Sequence, residues 1–314
     1  MSLERYRKLA IVTTVGVCVL TVAGGIVRLT GSGLGCDDWP ACNDERFIDV
    51  STGHTAIEQL NRLLSGLIGV PTLLLAIFAF RAAQRGSGLR WPALGVLFTV
   101  VANGVVGGFA VRQDLHPALV QSHFLLAMIS IAFGMIAVRA GSGRPITWSV
   151  ASPHRPTVRI VLGLAALTAA ALVTGTIVTG TGPHAGDETA RRFGFDISNV
   201  ARTHSVTVII TLALAAWLSL RIARRPDESG LTALRTAMSA WLFVGLMQGG
   251  LGYAQYFTGV PELLVALHIF GATILWVVTM RLLLAAVDLS REHEILDTGA
   301  SISASFAGRG GSKV

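Results

Sequence analysis

The sequence predicts an all-α integral membrane protein whose eight transmembrane helices form two parallel four-helix repeats, related by a pseudo-twofold axis along the membrane normal. Three observations predict it. Eight apolar runs, none with more than one charged residue, each approach the roughly 20 residues that a bilayer core demands of a helix. The loops between them alternate between basic and acidic or mixed. Polar landmarks of the first half recur in the second at offsets of 143 to 151 residues. Composition agrees: 52% of the 314 residues are hydrophobic and 14% charged, against roughly 25% charged in soluble domains. Mean hydropathy is +0.62. The net charge of +7 is spread over short loops, the pattern of membrane orientation. No basic stripe interleaved with aromatics occurs, so nucleic acid is not an expected partner.

The first run, 9–28, follows Arg5, Arg7 and Lys8. It is too long and too uniformly apolar for a cleaved signal peptide, and no small-residue cleavage site follows it. Its Cys18 reads as a small packing residue. An acidic loop comes next, with Asp37, Asp38, Asp44, Glu45 and Asp49. Runs 61–80 and 91–111 are joined through Arg81, Arg85 and Arg90. Runs 119–138 and 160–180 are joined through Arg139, Arg144, Arg155 and Arg159. Runs 203–220 and 236–257 flank Arg221, Arg224, Arg225 and Arg235, and 263–281 closes the set. Basic loops stay cytoplasmic, which places both termini inside a cell membrane and the acidic loop outside. On that oxidising side Cys36 and Cys42 are either a structural disulfide closing a short loop or a redox-active pair. The expected units are an N-terminal half (1–145), a C-terminal half (155–290) and a flexible cytoplasmic tail (291–314), which is small, polar and Gly/Ser-rich.

Helices 3–4 and 7–8 align at an offset of 145. Gly107 precedes His123 by sixteen residues within GVVGGFAVRQDLHPALVQSH, and Gly252 precedes His268 by the same interval within GGLGYAQYFTGVPELLVALH. Helices 2 and 6 align at 143, which sets Asn61 opposite His204. Helices 1 and 5 align at 151, matching Ile26-Val27 and Thr30-Gly31 to Ile177-Val178 and Thr181-Gly182. His123, His204 and His268 lie sixteen, seventeen and thirteen residues before Arg139, Arg221 and Arg281. At about 1.5 Å per residue, all three sit about 20–25 Å above the inner boundary. Ionisable groups inside spans are costly and face a partner or cavity. Three imidazoles at one depth, all on even-numbered helices, therefore read as ligands before they read as packing residues. Zinc would want four His, Cys or carboxylate ligands, which neither half supplies. Haem needs only one or two axial side chains and an apolar slot. Gly104, Gly107, Gly108, Gly249, Gly250 and Gly252 suit such a slot, and close helix packing accounts for them equally well.

The two halves differ. His204 and His268 are placed to clamp one iron on both faces, the closed arrangement of an electron-transfer haem. His123 faces only Asn61, leaving a weak or open side where chemistry has room. Glu58, one helical turn before Asn61, has Ala201 as its repeat equivalent. It is a candidate acid/base or charge stabiliser at the rim of the open site, or else an interfacial carboxylate in solvent. Arg62 and Arg202 are candidate partners for haem propionates, or snorkelling anchors.

At these residues the sequence resembles the haem A synthases, bacterial membrane enzymes. The resemblance rests on GGIVRLTGSGLGCDDWPAC, on Glu58-Gln59-Leu60-Asn61-Arg62, on His123, His204 and His268, and on the cysteine pair, and covers about residues 8–285. It implies oxidation of the C8 methyl of haem O to the formyl of haem A. It also implies a haem B cofactor in the C-terminal half, substrate haem in the N-terminal half, and an essential motif glutamate. Haem O would come from an upstream haem O synthase, and haem A would pass to a terminal oxidase. The family motif commonly reads Glu-x-x-His-Arg, so Asn61 departs from it. His54, one turn before Glu58, is the nearest substitute imidazole, while His116 and His184 read as solvent-facing loop residues. The competing classes are a di-haem cytochrome b-type electron carrier or quinol oxidoreductase, which calls for two complete bis-histidine sites, and a transporter using the histidines as proton relays.

Overall fold

The computed structural model describes residues 2–82, 88–144, 155–225 and 231–309. Among these residues eight helices follow one another: α1 (Leu3–Leu29), α2 (Gly53–Ala82), α3 (Arg90–Arg112), α4 (Pro117–Ala140), α5 (Arg155–Thr181), α6 (Ile197–Ala223), α7 (Thr232–Phe257) and α8 (Glu262–Arg309). No strand occurs among the described residues. Among the described residues seven helices are long and apolar enough to cross a membrane, which makes this a multi-pass membrane protein. The expected span at 236–257 is the exception. Its helix, α7, has 26 residues, but Gln248, Gly249, Gly250, Tyr253 and Gln255 dilute its hydropathy. α8 also differs from expectation: helical backbone continues over residues 291–309, where the sequence predicts a flexible tail. The run Arg291–Asp297 is rich in good helix formers, and no proline interrupts it.

α1 packs on α2 and α4, and α3 packs on the same two; α5 packs on α6 and α8, and α7 likewise. Between the two sets, α1 meets α8, α4 meets α5, and α4 meets α8. We call the end carrying the start of α1 the base and the opposite end the crown. α3 and α7 end at the crown in the same turn. Leu115 N–H donates to the Ala110 carbonyl at 2.8 Å, and Val260 N–H to the Gln255 carbonyl at 2.7 Å. The left-handed position before each is taken by Asp114 (φ 50°) and Gly259 (φ 82°), the C-cap geometry that glycine adopts freely and aspartate tolerates. α4 then starts at Pro117, where a missing N–H costs nothing, and α6 is capped by Asp196, whose side chain accepts from Asn199 N–H at 2.9 Å. Inside the helices Thr14, Thr72, Thr168, Thr211 and Thr279 each donate to the carbonyl four residues back, so their hydroxyls are buried without an unmet bond.

The base is densely packed and the crown is not. One basal cluster joins Tyr6, Ala10, Leu75, Ala79, Leu89, Ala93 and Ala137. A second joins Leu164, Leu218, Leu234, Met238, Trp241, Leu282 and Ala286. Polar ties lock both: Tyr6 Oη donates to the Leu89 carbonyl at 2.9 Å, and Trp241 Nε1 donates to Thr279 Oγ1 at 2.8 Å. The seam between the sets is crossed by Trp276 Nε1, which donates to the Met128 carbonyl at 2.7 Å. This floor generates a prediction. Trp241 is 1% exposed, whereas Phe243 on the same helix is 69% exposed. Trp241→Ala is expected to cost about 3–5 kcal/mol and Phe243→Ala no more than about 0.5 kcal/mol, read as thermal unfolding of detergent-solubilised protein. Equal melting of the two variants would contradict the packing described.

Candidate functional site

Each crown-side imidazole rests on a glycine of a neighbouring helix. A Cβ at Gly107 of α3 would lie 3.0 Å from His123 Cε1, one at Gly175 of α5 3.0 Å from His204 Cε1, and one at Gly252 of α7 3.1 Å from His268 Cε1. Real Cβ contacts are rarely so close, so the glycines let each ring lie against bare backbone. Hydrogen bonds then orient two of the rings. His123 Nδ1 lies 3.1 Å from the Asn103 carbonyl, which only accepts, so Nδ1 carries the proton. His204 Nδ1 lies 3.0 Å from Thr174 Oγ1. That hydroxyl already donates to the Ala170 carbonyl at 3.0 Å, so it accepts from the imidazole. His268 Nδ1 is buried without a partner, and Gln248 Nε2 fixes the backbone beneath it through the His268 carbonyl at 2.8 Å. Among the described residues none of the three Nε2 atoms makes a hydrogen bond, and none is among the sealed, unpartnered atoms. An Nε2 lone pair left open by an Nδ1–H donor is the state an axial iron ligand requires.

The fourth position of this pattern is different. Gly24 of α1 stands 151 residues before Gly175, and Asn61 of α2 stands 143 before His204. A Cβ at Gly24 would meet nothing within 4 Å. The place that an imidazole fills in the second half is open in the first. Ala23 stands where Thr174 orients His204, so the anchoring hydroxyl is missing too. Asn61 Oδ1 is buried and unpartnered. Gly24, Gly175 and Thr174 are functional positions the sequence reading passed over. The 151-residue offset pairs Gly24 with Gly175 and could have found them.

Glu58 and Arg62 do not stand free at this opening. Glu58 is 5% exposed. Its Oε2 accepts from Cys36 N–H at 2.8 Å, and its Oε1 takes Arg62 Nη2 at 2.6 Å and Nε at 3.1 Å. Arg62 Nη1 donates to the Asp38 carbonyl at 2.8 Å and the Ala41 carbonyl at 3.0 Å. The pair thus clamps the loop 30–52 onto the crown. Cys36 and Cys42 are joined in a disulfide inside that loop, both essentially buried. Trp39 lies over Gly108, where a Cβ would strike its ring, and Arg112 holds the Trp39 carbonyl at 2.6 Å and Asp38 Oδ1 at 3.0 Å. The Trp39 backbone N–H, and then Arg112, hold the Asp38 carboxyl below the ordinary carboxylate range. Arg28 links the halves, donating to the His184 carbonyl at 2.5 Å and the Thr179 carbonyl at 2.6 Å.

The remaining sequence candidates are distributed around the rim. Arg202 is exposed at the start of α6. His54 binds Ser32 Oγ through Nδ1 at 3.0 Å, so it is engaged with the first loop. His116 caps α4 and is exposed, and His184 Nε2 lies 2.9 Å from the Val260 carbonyl. Cys18 is a free, half-buried thiol within α1.

Over residues 7–54 and 45–280 the chain matches the COX15-CtaA family, described as cytochrome oxidase assembly protein. It is similar to a protein named heme A synthase from Geobacillus kaustophilus, 34% identical over 121 residues, 38% of each chain. The protein of the same name from Bacillus mycoides is 33% identical over 132 residues, 41% of this chain and 42% of the relative. That from Alkalihalophilus pseudofirmus is 28% identical over 130 residues, 41% of this chain and 44% of the relative. These alignments span about two fifths of the length of the curated relatives.

The clamped loop carries a pH prediction. A depressed Asp38 pKa means its tether is complete above the ordinary carboxylate range and is lost as pH falls through the lowered value. Protection of loop 30–52 from added protease should therefore hold unchanged from neutral to mildly acid pH and fail only in stronger acid. In Arg112→Gln it should be weaker at neutral pH. Loss of protection near pH 6 in the unaltered chain would contradict the assignment.

Proposed function

This chain belongs to the COX15-CtaA family of cytochrome oxidase assembly proteins, and on that premise we propose that it is a haem A synthase, an oxidoreductase that converts the C8 methyl of haem O to a formyl group. The single observation that carries this reading is the unequal crown: His204 and His268 with Nε2 open in one half, and His123 facing Asn61 beside open space at Gly24 in the other. We assign residues 1–145 to the substrate half and 155–290 to the cofactor half, as parallel repeats in which α7 also spans. The shared helix-packing pattern and the matching crown turns support the repeat. Alternating loop charge supports cytoplasmic termini.

The residues of the second half fit haem B. α7 packs against both α6 and α8, the helices that carry His204 and His268, and His204 is held as an Nδ1–H donor. When bound, haem B supplies one-electron storage at the crown. In the first half His123 is the strong ligand for substrate haem O, and Asn61 leaves the opposite face accessible. A di-haem electron carrier would require the same closure on both faces of both sites. Arg202, exposed at the rim, is the proposed propionate contact; Arg62 adds positive charge from beneath the loop while it holds Glu58. Glu58 is the proposed carboxylate of the reaction, its charge compensated by Arg62 and the Cys36 amide. Buried sulfurs support a shielding role for the Cys36–Cys42 loop over haem exchange. Haem O from an upstream haem O synthase and a terminal oxidase that receives haem A are the partners this function implies.

Extraction and chromatography of haems from cells that make haem O and express this chain test the proposal. Haem A should accumulate, and its absence would overturn the reading. Glu58→Gln should lower haem A formation by about 100-fold or more while the haem B spectrum of the purified protein stays as in the parent. Unchanged product would remove Glu58 from the reaction.

A further inference from the structure

At the base, on the seam between the two sets of helices, lies a cavity of about 370 Å³. Arg7 of α1, Arg139 of α4, Arg144 beyond it and Arg281 of α8 all line it, with Asp288 of α8 as the one acidic side chain. Arg139, whose side chain is 6% exposed, pairs with Asp288, and Arg144 reaches the other oxygen of the same carboxylate at 3.5 Å. Arg7 and Arg281 are exposed and have no acidic partner among the described residues. Three positive charges in excess therefore face one open recess. The first turns of α7, at Ala233 and Thr236, border it as well and add the positive end of a helix dipole. Mutual repulsion makes such a cluster costly unless an anion answers it. Guanidinium forks match phosphate oxygens better than any other common anion carrier in a cell membrane.

The rest of the wall narrows the choice of ligand. Met135, Val138 and Leu284 continue the cavity as an apolar surface. A free phosphate would leave that surface without a partner, whereas an acyl chain covers it. The cavity also lies near the ends of helices that cross the bilayer, at the level of lipid headgroups, where basic recesses between helices take anionic lipids. We propose that this basal cavity binds an anionic phospholipid, its phosphate held by Arg7, Arg281 and Arg144 and its chain against α4 and α8. Because the lining comes from α1 and α4 on one side and α7 and α8 on the other, the lipid would brace the two halves against each other.

Native mass spectrometry and thermal unfolding of the full-length protein, titrated separately with phosphatidylglycerol, phosphatidylcholine and inorganic phosphate, test this. Phosphatidylglycerol should be retained and should raise the melting temperature, with the other two doing neither. Arg7→Gln/Arg281→Gln should bind phosphatidylglycerol about tenfold or more weakly while melting as the parent does without lipid. Arg281→Gln alone should show an intermediate loss. Equal effects of the two lipids, or unaltered binding by the double variant, would overturn the proposal. A phosphate effect matching that of phosphatidylglycerol would overturn the lipid assignment.

Discussion

An imidazole laid against a glycine of the next helix, its Nδ1–H engaged by the protein at His123 and His204, is the constraint from which the crown follows. The glycine has to come from the neighbouring helix, so each histidine dictates which pair of helices closes up. His123 needs Gly107 of α3, His204 needs Gly175 of α5, and His268 needs Gly252 of α7. Any side chain at those glycines would push the ring off its bearing. Where the histidine is absent, the glycine has nothing to bear: Gly24 opens onto free space, and Asn61 is too short to fill it. Asn61 in place of a histidine, with Ala23 in place of the threonine that orients it, thus leaves space beside Gly24 within the same helical frame.

That frame divides into a packed base and an accessible crown. Trp241, Tyr6 and the leucines around them give the helices a rigid floor, so the crown can stay loosely filled without collapse. In the first half loop 30–52 is then tied down over α2 and α3. Glu58 and Arg62 form a buried ion pair, costly unless every bond is met. Here the remaining donors and acceptors are met by Cys36 N–H and the carbonyls of Asp38 and Ala41. The pair therefore holds the loop in register over the opening, while the disulfide keeps the loop short.

Much of this was legible in the residues. The interval between Gly107 and His123, repeated at Gly252 and His268, already marked the repeat, though not the contact of ring on glycine, and the Asn61/His204 mismatch already implied unequal halves. Charge in the loops marked the helix ends. Other features were not legible, for physical reasons. The role of Arg62 depends on loop carbonyls, which no side-chain pattern reveals. α7 escapes a hydropathy criterion because Gln248 and the glycines that serve the crown are polar or small. The basal arginines lie as far apart as Arg7 and Arg281 in sequence, so only the packing of α1 and α4 against α7 and α8 assembles them.

The central claim is that Asn61, standing where the second half has His204, keeps the first-half site open. Low-temperature electron paramagnetic resonance of protein carrying haem in both halves, compared between the parent chain and Asn61→His, tests it most directly. The parent should show one low-spin bis-imidazole signal alongside a high-spin signal from the half with a single imidazole. Asn61→His should convert the high-spin signal to a second low-spin one, because Gly24 leaves room for the ring. Two low-spin signals in the parent, or a high-spin signal that survives in Asn61→His with both haems bound, would contradict the account.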